Sequence, residues 1–233
     1  IPYGPGERET LDLFTPVDPR GEATLVFIHG GYWQALDKSF FSHMARGANA
    51  HGISVAIPSY DLCPQVSVAE IIAQMRAACG TLAKLGRPLV VSGHSAGGHL
   101  AACMLAQDRE AGSNATGEQH VRAAYAISGL FDLTPLIGTS INQALRLDPA
   151  SARAASPLFT PPIRPGLVLD AVVGGDESAE YHRQSRTVVA RWGEAGVETR
   201  FESLPGRHHF DVIAPLADPE SAMTRRVVAL AGG

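Results

Sequence analysis

The alternation of short apolar runs with longer amphipathic segments constrains this 233-residue chain more than any other feature. Several of the short runs are apolar throughout, as strands are when helices cover both faces of a parallel sheet. The predicted strands are residues 11–14, 23–29, 53–58, 88–93, 122–128, 166–174 and 197–204. Apolar residues at helical spacing predict helices at 39–50, 67–85, 95–107, 178–195 and 217–231. The pattern predicts an α/β fold with a mostly parallel, doubly wound sheet and helices on both faces.

The length predicts a single domain, residues 1–233, and no large lid domain is evident. Apolar residues make up 45% of the chain and charged residues 18%, which is enough apolar material to cover a sheet. The segment 129–165 interrupts the alternation with six prolines and only a short helical piece near 141–147. Because ligands bind beyond the carboxyl ends of such strands, we predict that this segment walls the functional site.

Charge and cysteine usage exclude several classes of partner. The net charge is −4 and the basic residues are scattered, which argues against binding to nucleic acid or to an anionic membrane. Cys63, Cys79 and Cys103 are odd in number and form no C-x-x-C pair, which argues against a disulfide framework or a zinc site. We expect a cytoplasmic protein whose partner is a small-molecule substrate, and a homodimer is a possible form.

The sharpest local motif is a G-x-S-x-G pattern at residues 93–97, directly between a predicted strand and a predicted helix. Glycines two residues before and after the serine leave room for a tight turn, which pushes the serine to the end of the sheet. The first N–H groups of the following helix favour negative charge at the same place. We therefore interpret Ser95 as a nucleophile and the N–H of Ala96 as a donor to an oxyanion.

A second glycine motif, His29-Gly30-Gly31-Tyr32-Trp33, follows another predicted strand. This is the position at which further oxyanion donors are expected beside a serine elbow. We predict that the N–H groups of Gly31 and Tyr32 are donors and that Gly30 serves the turn. His29 ends a buried strand and is interpreted as structural.

Chain order predicts the base and its acid, because serine, acid and histidine follow one another in that order in enzymes with this elbow. Of nine histidines, only His208 and His209 follow the last predicted strand, so one of them is the predicted base. Asp176 follows the preceding strand, where a carboxylate can fix the histidine tautomer. Glu177, one residue later, and Asp170, inside the strand, are weaker candidates, and Asp170 is interpreted as structural.

Motifs along most of the chain resemble those of the arylformamidases, or kynurenine formamidases, within the α/β-hydrolase esterases. They are HGGYW (29–33), YDLCP (60–64), SGHSAGGHL (92–100), SGLFDLTPL (128–136), TSIN (139–142), GGDESAEYHRQS (174–185) and HHFD (208–211). The elbow is common to many hydrolases, whereas HGGYW and the D-S-x-E-[FY]-H-R-Q-S type run are more specific. The second of these departs from the pattern and reads DESAEYHRQS here.

The resemblance implies the α/β-hydrolase fold and hydrolysis of N-formyl-kynurenine to kynurenine and formate, without a metal or organic cofactor. It selects His209 over His208, because the histidine directly before Phe in an HF[DE] tract is the base in such proteins. It also implies Asp176 as the acid. Ser95 would then attack the acyl carbon and form an acyl-enzyme that water hydrolyses.

An aromatic leaving group would need a pocket, for which we predict Trp33, Leu130, Phe131 and Ile141. Ordinary core packing is the alternative for all four residues. A short-chain carboxylesterase is the second hypothesis for function, and a non-catalytic ligand-binding protein on the same fold is the third.

Overall fold

A seven-stranded sheet forms the centre of the computed structural model, which describes residues 1–106, 120–162 and 166–232. The strands are β1 (Leu11–Phe14), β2 (Thr24–Ile28), β3 (Val55–Pro58), β4 (Leu89–His94), β5 (Val121–Ile127), β6 (Val168–Gly174) and β7 (Glu198–Leu204). Their order in the sheet is β1-β3-β2-β4-β5-β6-β7. Only β1 pairs in the antiparallel direction, with β3, and the other pairings are parallel. The predicted fold class is therefore confirmed.

Helices cover both faces of this sheet. In the described part of the chain they are α1 (Ala45–Ala50), α2 (Val68–Ala83), α3 (Ala96–Leu105), α4 (Asn142–Leu145), α5 (Pro149–Ala154), α6 (Ala179–Glu194) and α7 (Ala222–Leu230). Helices α2, α3 and α6 pack against one face, where Val26 and Ile28 point, and α1 and α7 pack against the other, where Leu25 and Phe27 point. The alternation along β2 thus divides the core into two layers.

Two predicted helices start differently in the structure. The segment predicted at 39–50 begins as a 3₁₀ helix, Lys38–Met44, and becomes α-helical only at Ala45. The last helix begins at Ala222 rather than 217, because Ser221 is its N-cap and accepts the N–H of Thr224. The predicted end of the third helix, at 107, lies outside the described residues.

The segment 129–165 has more helix than its prolines predicted. Pro149 stands at the first position of α5, where its missing N–H costs nothing, and the preceding Asp148 caps the helix through a reciprocal pair with Ser151. Two 3₁₀ turns, Thr134–Gly138 and Pro157–Phe159, complete its described part. Residues 163–165 lie outside the described residues.

Asp170 is a structural residue of β6, as the sequence analysis interpreted it. Its side chain is fully buried and accepts two hydrogen bonds from Arg226 of α7, at 2.6 and 3.0 Å. Arg200 of β7 lies 3.5 Å away. These ion pairs hold α7 against the sheet.

Among the helices that the structure describes, none has both the length and the apolar character needed to cross a bilayer.

Candidate active site

Ser95 lies at a strained turn between β4 and α3. Its φ of 56° and ψ of −117° fall where residues other than glycine are rare. Its N–H donates to the carbonyl of Ile127 at 2.9 Å, which ties the turn to β5. A Cβ on Gly93 would overlap the backbone of Gly97, and a Cβ on Gly97 would overlap the backbone of β2. The two glycines of the motif are therefore required for the turn that presents the serine at the end of the central strand.

The histidine of the HHFD tract is oriented by Glu177 and not by Asp176. The Nδ1–H of His209 donates to Oε2 of Glu177 at 2.7 Å, and the Glu177 side chain is only 1% exposed. Asp176 is exposed and lines the outer part of the site. The interpretation of Asp176 as the orienting acid is therefore wrong for this structure, and the weaker candidate takes its place.

The turn after β6 explains why the carboxylate comes one residue later than predicted. The N–H groups of Gly175 and Asp176 donate to carbonyls at the end of β7 and in the loop after it, at 2.7 and 3.0 Å. The chain then closes a tight turn in which Glu177 N–H donates to Gly174 O at 3.2 Å, and the Glu177 side chain reaches back to the sheet. The sequence held a signal for this: the family pattern has its carboxylate directly before Ser, and Glu177 directly precedes Ser178 here.

Both oxygens of the Glu177 carboxylate are hydrogen-bonded. Oε1 accepts the hydroxyl of Ser128 and the N–H of Gly174, and Oε2 accepts His209. Burial raises the pKa of the Glu177 carboxyl, but these hydrogen bonds outweigh burial and hold the pKa below its ordinary value. The charged carboxylate assigns the imidazole proton to Nδ1, which leaves Nε2 of His209 as a proton acceptor.

Ser128 was not among the predicted residues. It follows β5, which neighbours β6 in the sheet, and only this pairing brings its hydroxyl to Glu177. It is the first residue of the SGLFDLTPL motif, but the motif by itself does not show that the serine meets the carboxylate.

Aromatic rings enclose His209. Its ring centroid lies 4.6 Å from that of His94, 4.7 Å from that of Tyr181 and 5.6 Å from that of Phe210. Burial and the neighbouring His209 lower the pKa of His94 to about 4, so His94 is neutral at neutral pH. The side chain of His208 is 61% exposed and faces solvent, so the geometry favours His209 as the base.

Tyr181 is close to both the nucleophile and the base. Its ring packs on His209, its hydroxyl lies 3.1 Å from the hydroxyl of Tyr32, and the Ser95 hydroxyl is close enough to act on its pKa. These contacts place the elbow, the base and the HGGYW loop in one site. Burial raises the pKa of Tyr181, which therefore keeps its proton at neutral pH. Tyr181 belongs to the EYHRQS run, but its role was not predicted.

The HGGYW loop folds closely against the elbow. A Cβ on Gly30 would lie 3.2 Å from that of Ser95. Gly31 and Tyr32 have positive φ of 109° and 50°, and no hydrogen-bond acceptor is assigned to either N–H within the described chain. Ala96 is the first residue of α3, so its N–H has no partner within the helix. The three predicted donors therefore stay predictions that this geometry supports.

Three of the four predicted pocket residues belong to the core. Trp33 and Phe131 are fully buried, Leu130 is 6% exposed, and Trp33 packs edge-on against His99 with ring centroids 5.0 Å apart. Core packing, the alternative interpretation, therefore holds for these three. Ile141 is half-buried, and its contact with substrate stays a prediction.

His29 has a structural environment. Its ring stacks on Tyr60, with centroids 4.3 Å apart, and its Nδ1 contacts the carbonyl of Gly30 at 2.7 Å. Burial lowers the pKa of His29 to about 4, so it is a neutral packing residue at neutral pH.

A cavity of about 340 Å³ opens beside His209. It is lined by Asp176, Glu177, Ser178, Tyr181, His208, His209 and Phe210. None of these comes from the segment 129–165, whose described part instead borders a separate cavity of about 520 Å³ between α2, α3 and residues 145–160. The expectation that this segment walls the functional site stays a prediction. In the described part of the chain, no cluster of three or more His, Cys, Asp or Glu side chains is arranged to hold a metal ion.

Comparison with known proteins places this geometry in a family. A family model described as the alpha/beta hydrolase fold matches residues 25–212. Kynurenine formamidase of Salmo salar is 30% identical, over all of this chain and 81% of that protein. A solved structure from Silicibacter sp. TM1040, described as a candidate thioesterase, is 41% identical and has a TM-score of 0.85. The match covers 98% of this chain and 84% of the Silicibacter chain. A probable isoprenylcysteine alpha-carbonyl methylesterase of Oryza sativa is 26% identical, over 93% of this chain and 58% of that protein.

The chain belongs to the α/β-hydrolase family, and it is an enzyme of the hydrolase class. Within that family it is arylformamidase-like, which confirms the resemblance read from its motifs. A serine elbow whose His94 contacts His209, together with a carboxylate that holds the Nδ1–H of His209, is suited to nucleophilic acyl transfer.

Proposed function

We propose that this chain is a serine hydrolase that cleaves small aryl formamides, with N-formyl-kynurenine as the expected substrate. One observation carries the proposal: the Ser95 elbow and the His209–Glu177 pair lie in one site, in a chain similar to kynurenine formamidase along its whole length. Neither the motif nor the similarity alone would connect the reacting groups in space.

In the proposed mechanism, His209 Nε2 takes the proton of Ser95 as Oγ attacks the formyl carbon. Glu177 stabilises the imidazolium that forms. The N–H groups of Gly31, Tyr32 and Ala96 would hold the oxyanion, and each donor would contribute roughly 3 kcal/mol to transition-state stabilisation. The imidazolium then protonates the leaving nitrogen, and water repeats the cycle on the formyl-enzyme.

The cavity at His209 supports an aromatic leaving group. Phe210, which is 83% exposed, and Tyr181 both line this cavity, so a planar amine could pack against their rings. A volume of about 340 Å³ is within the range of small-molecule sites.

A short-chain carboxylic ester is the second candidate, and the similarity to a methylesterase favours it. The length of the acyl chain that the enzyme accepts distinguishes a formamidase from an esterase. A formamidase binds only a hydrogen on the carbonyl carbon and should lose activity sharply from formyl to butyryl, whereas an esterase should accept acetate to butyrate.

The test is the ratio of kcat/KM for N-formyl-kynurenine to that for p-nitrophenyl acetate and p-nitrophenyl butyrate, with Ser95→Ala as the blank. A ratio well above unity that is lost in the variant supports the formamidase. Ester turnover with negligible formamide cleavage makes the chain a carboxylesterase. A wild-type chain that is silent on all three and is not labelled at Ser95 by a fluorophosphonate would be a non-catalytic binding protein.

A cytoplasmic location is also part of the proposal, supported by Cys63 and Cys79, which are buried as thiols. The proposed partner is the small-molecule substrate, with no nucleic acid or membrane and no cofactor. A homodimer stays a prediction that sedimentation would test.

A further inference from the structure

The hydroxyl of Tyr181 stands at the nucleophile but has no part in the acyl transfer described above. It lies 3.1 Å from the hydroxyl of Tyr32, and the Ser95 hydroxyl is close enough to act on its pKa. Its ring is in contact with His209, with centroids 4.7 Å apart. A hydroxyl near the attacking oxygen, on a ring that contacts the base, lies beside the bonds that are made and broken.

Either hydroxyl of the Tyr181–Tyr32 pair can be the donor. When Tyr181 donates to Tyr32, its lone pair can accept the proton of Ser95. During catalysis Ser95 must turn its proton toward Nε2 of His209 instead. The lone pair of Tyr181 then loses its donor, and it does so beside the carbon that Oγ has attacked.

The substrate carries a donor for this lone pair. In the tetrahedral intermediate of a secondary amide, the leaving nitrogen has one lone pair and one N–H. The lone pair must face the His209 imidazolium to receive its proton, so the N–H must point elsewhere and is left without a partner unless the site supplies an acceptor. The ring of Tyr181 lies against His209, and the predicted oxyanion donors are backbone N–H groups rather than the Tyr181 hydroxyl.

We propose that Tyr181 is a further catalytic residue, whose hydroxyl oxygen accepts the N–H of the scissile formamide as the leaving nitrogen is protonated. This inference rests on the proposed function. No extra proton moves: the C–N bond breaks, its electron pair stays on nitrogen, and the proton that His209 took from Ser95 completes the amine. An ester has no such N–H, so Tyr181 distinguishes amide from ester chemistry at the same serine.

The experiment compares three substrates with the same formyl group: 4-nitroformanilide, its N-methyl derivative, and phenyl formate. Only the first has an N–H at the leaving atom. Tyr181→Phe removes one oxygen, and it should lower kcat/KM for the secondary formanilide about tenfold to a hundredfold, because one hydrogen bond in the transition state is lost. For the N-methyl amide and the ester, kcat/KM should change by less than about threefold.

Tyr125→Phe is the matched control. The Tyr125 hydroxyl is buried and has no hydrogen-bond partner among the described residues, and Tyr125 belongs to the core layer on the other face of the sheet from α6. The control should leave all three rates unchanged, and thermal unfolding should show that both variants fold. An equal loss on all three substrates, or no loss on the secondary amide, would overturn the role of Tyr181 and leave the formamidase proposal standing. If the wild-type enzyme cleaved the ester but neither amide, both the role of Tyr181 and the formamidase proposal would be overturned.

Discussion

Glu177→Gln is the substitution that tests the site most directly. The N–H of Gly174 donates to Oε1 at 2.7 Å, and a backbone N–H cannot reverse its role. The glutamine must therefore place its carbonyl oxygen at Oε1, which puts its NH₂ group opposite Nδ1 of His209. Two donors cannot face each other, so the imidazole moves its proton to Nε2 and can no longer accept the proton of Ser95.

The expected loss follows from this change of tautomer. Geometry and volume are nearly unchanged, but the base is held in its inactive form and the imidazolium loses its counter-charge. For such a change we expect kcat to fall by about 10³ to 10⁴, or roughly 4 to 5.5 kcal/mol.

The assay is kcat and KM on N-formyl-kynurenine and on p-nitrophenyl acetate, with Asp176→Asn as the matched control one residue away. Because Asp176 is exposed, its variant should retain kcat within about threefold. If Asp176→Asn lost as much activity as Glu177→Gln, or if Glu177→Gln remained active, the assignment of Glu177 as the orienting acid would be refuted.

Three further predictions concern neighbouring groups. Ser128→Ala removes one of the hydrogen bonds that lower the pKa of Glu177, so the acid limb of the kcat profile should move to higher pH. An unmoved limb would contradict that role. Asp170→Asn leaves Arg226 without its buried partner and should lower the free energy of unfolding by about 3 kcal/mol, measured in urea, while kcat of the folded protein stays near wild type. Burial lowers the pKa of His99 from 6.5 to about 4, so the unfolded chain binds its proton first and stability falls as pH drops from 6.5 toward 4. His99→Gln should make urea midpoints depend less on pH across that range, and an unchanged slope would count against the burial argument.

Much of the fold follows from the sequence alone. All seven predicted strands are present, and their ends differ from the predicted ones by at most two residues, because apolar runs buried on both faces leave a strong local pattern. The helix starts were less predictable: a cap such as Ser221 competes with the apolar periodicity and decides the boundary. The same is true of α5, whose Pro149 looked like an interruption and is instead its first residue.

In the site, the sequence determined which residues were available and in what order. The elbow depends on local backbone chemistry, since only glycine fits at Gly93 and Gly97, and for that reason it could be identified without a structure. The choice of His209 over His208 came from the HF[DE] tract of the family resemblance.

The tertiary structure decided which side chains meet. A tight turn after β6 selects Glu177 over its neighbour Asp176, and the pairing of β5 with β6 adds Ser128 to the carboxylate. The packing of α6 brings Tyr181 against His209 and beside Tyr32. These are contacts between residues far apart in the chain, or differences of a single residue in a turn, and neither leaves a periodic signal. The sequence thus established the class of chemistry, and the fold assigned the atoms that would carry it out.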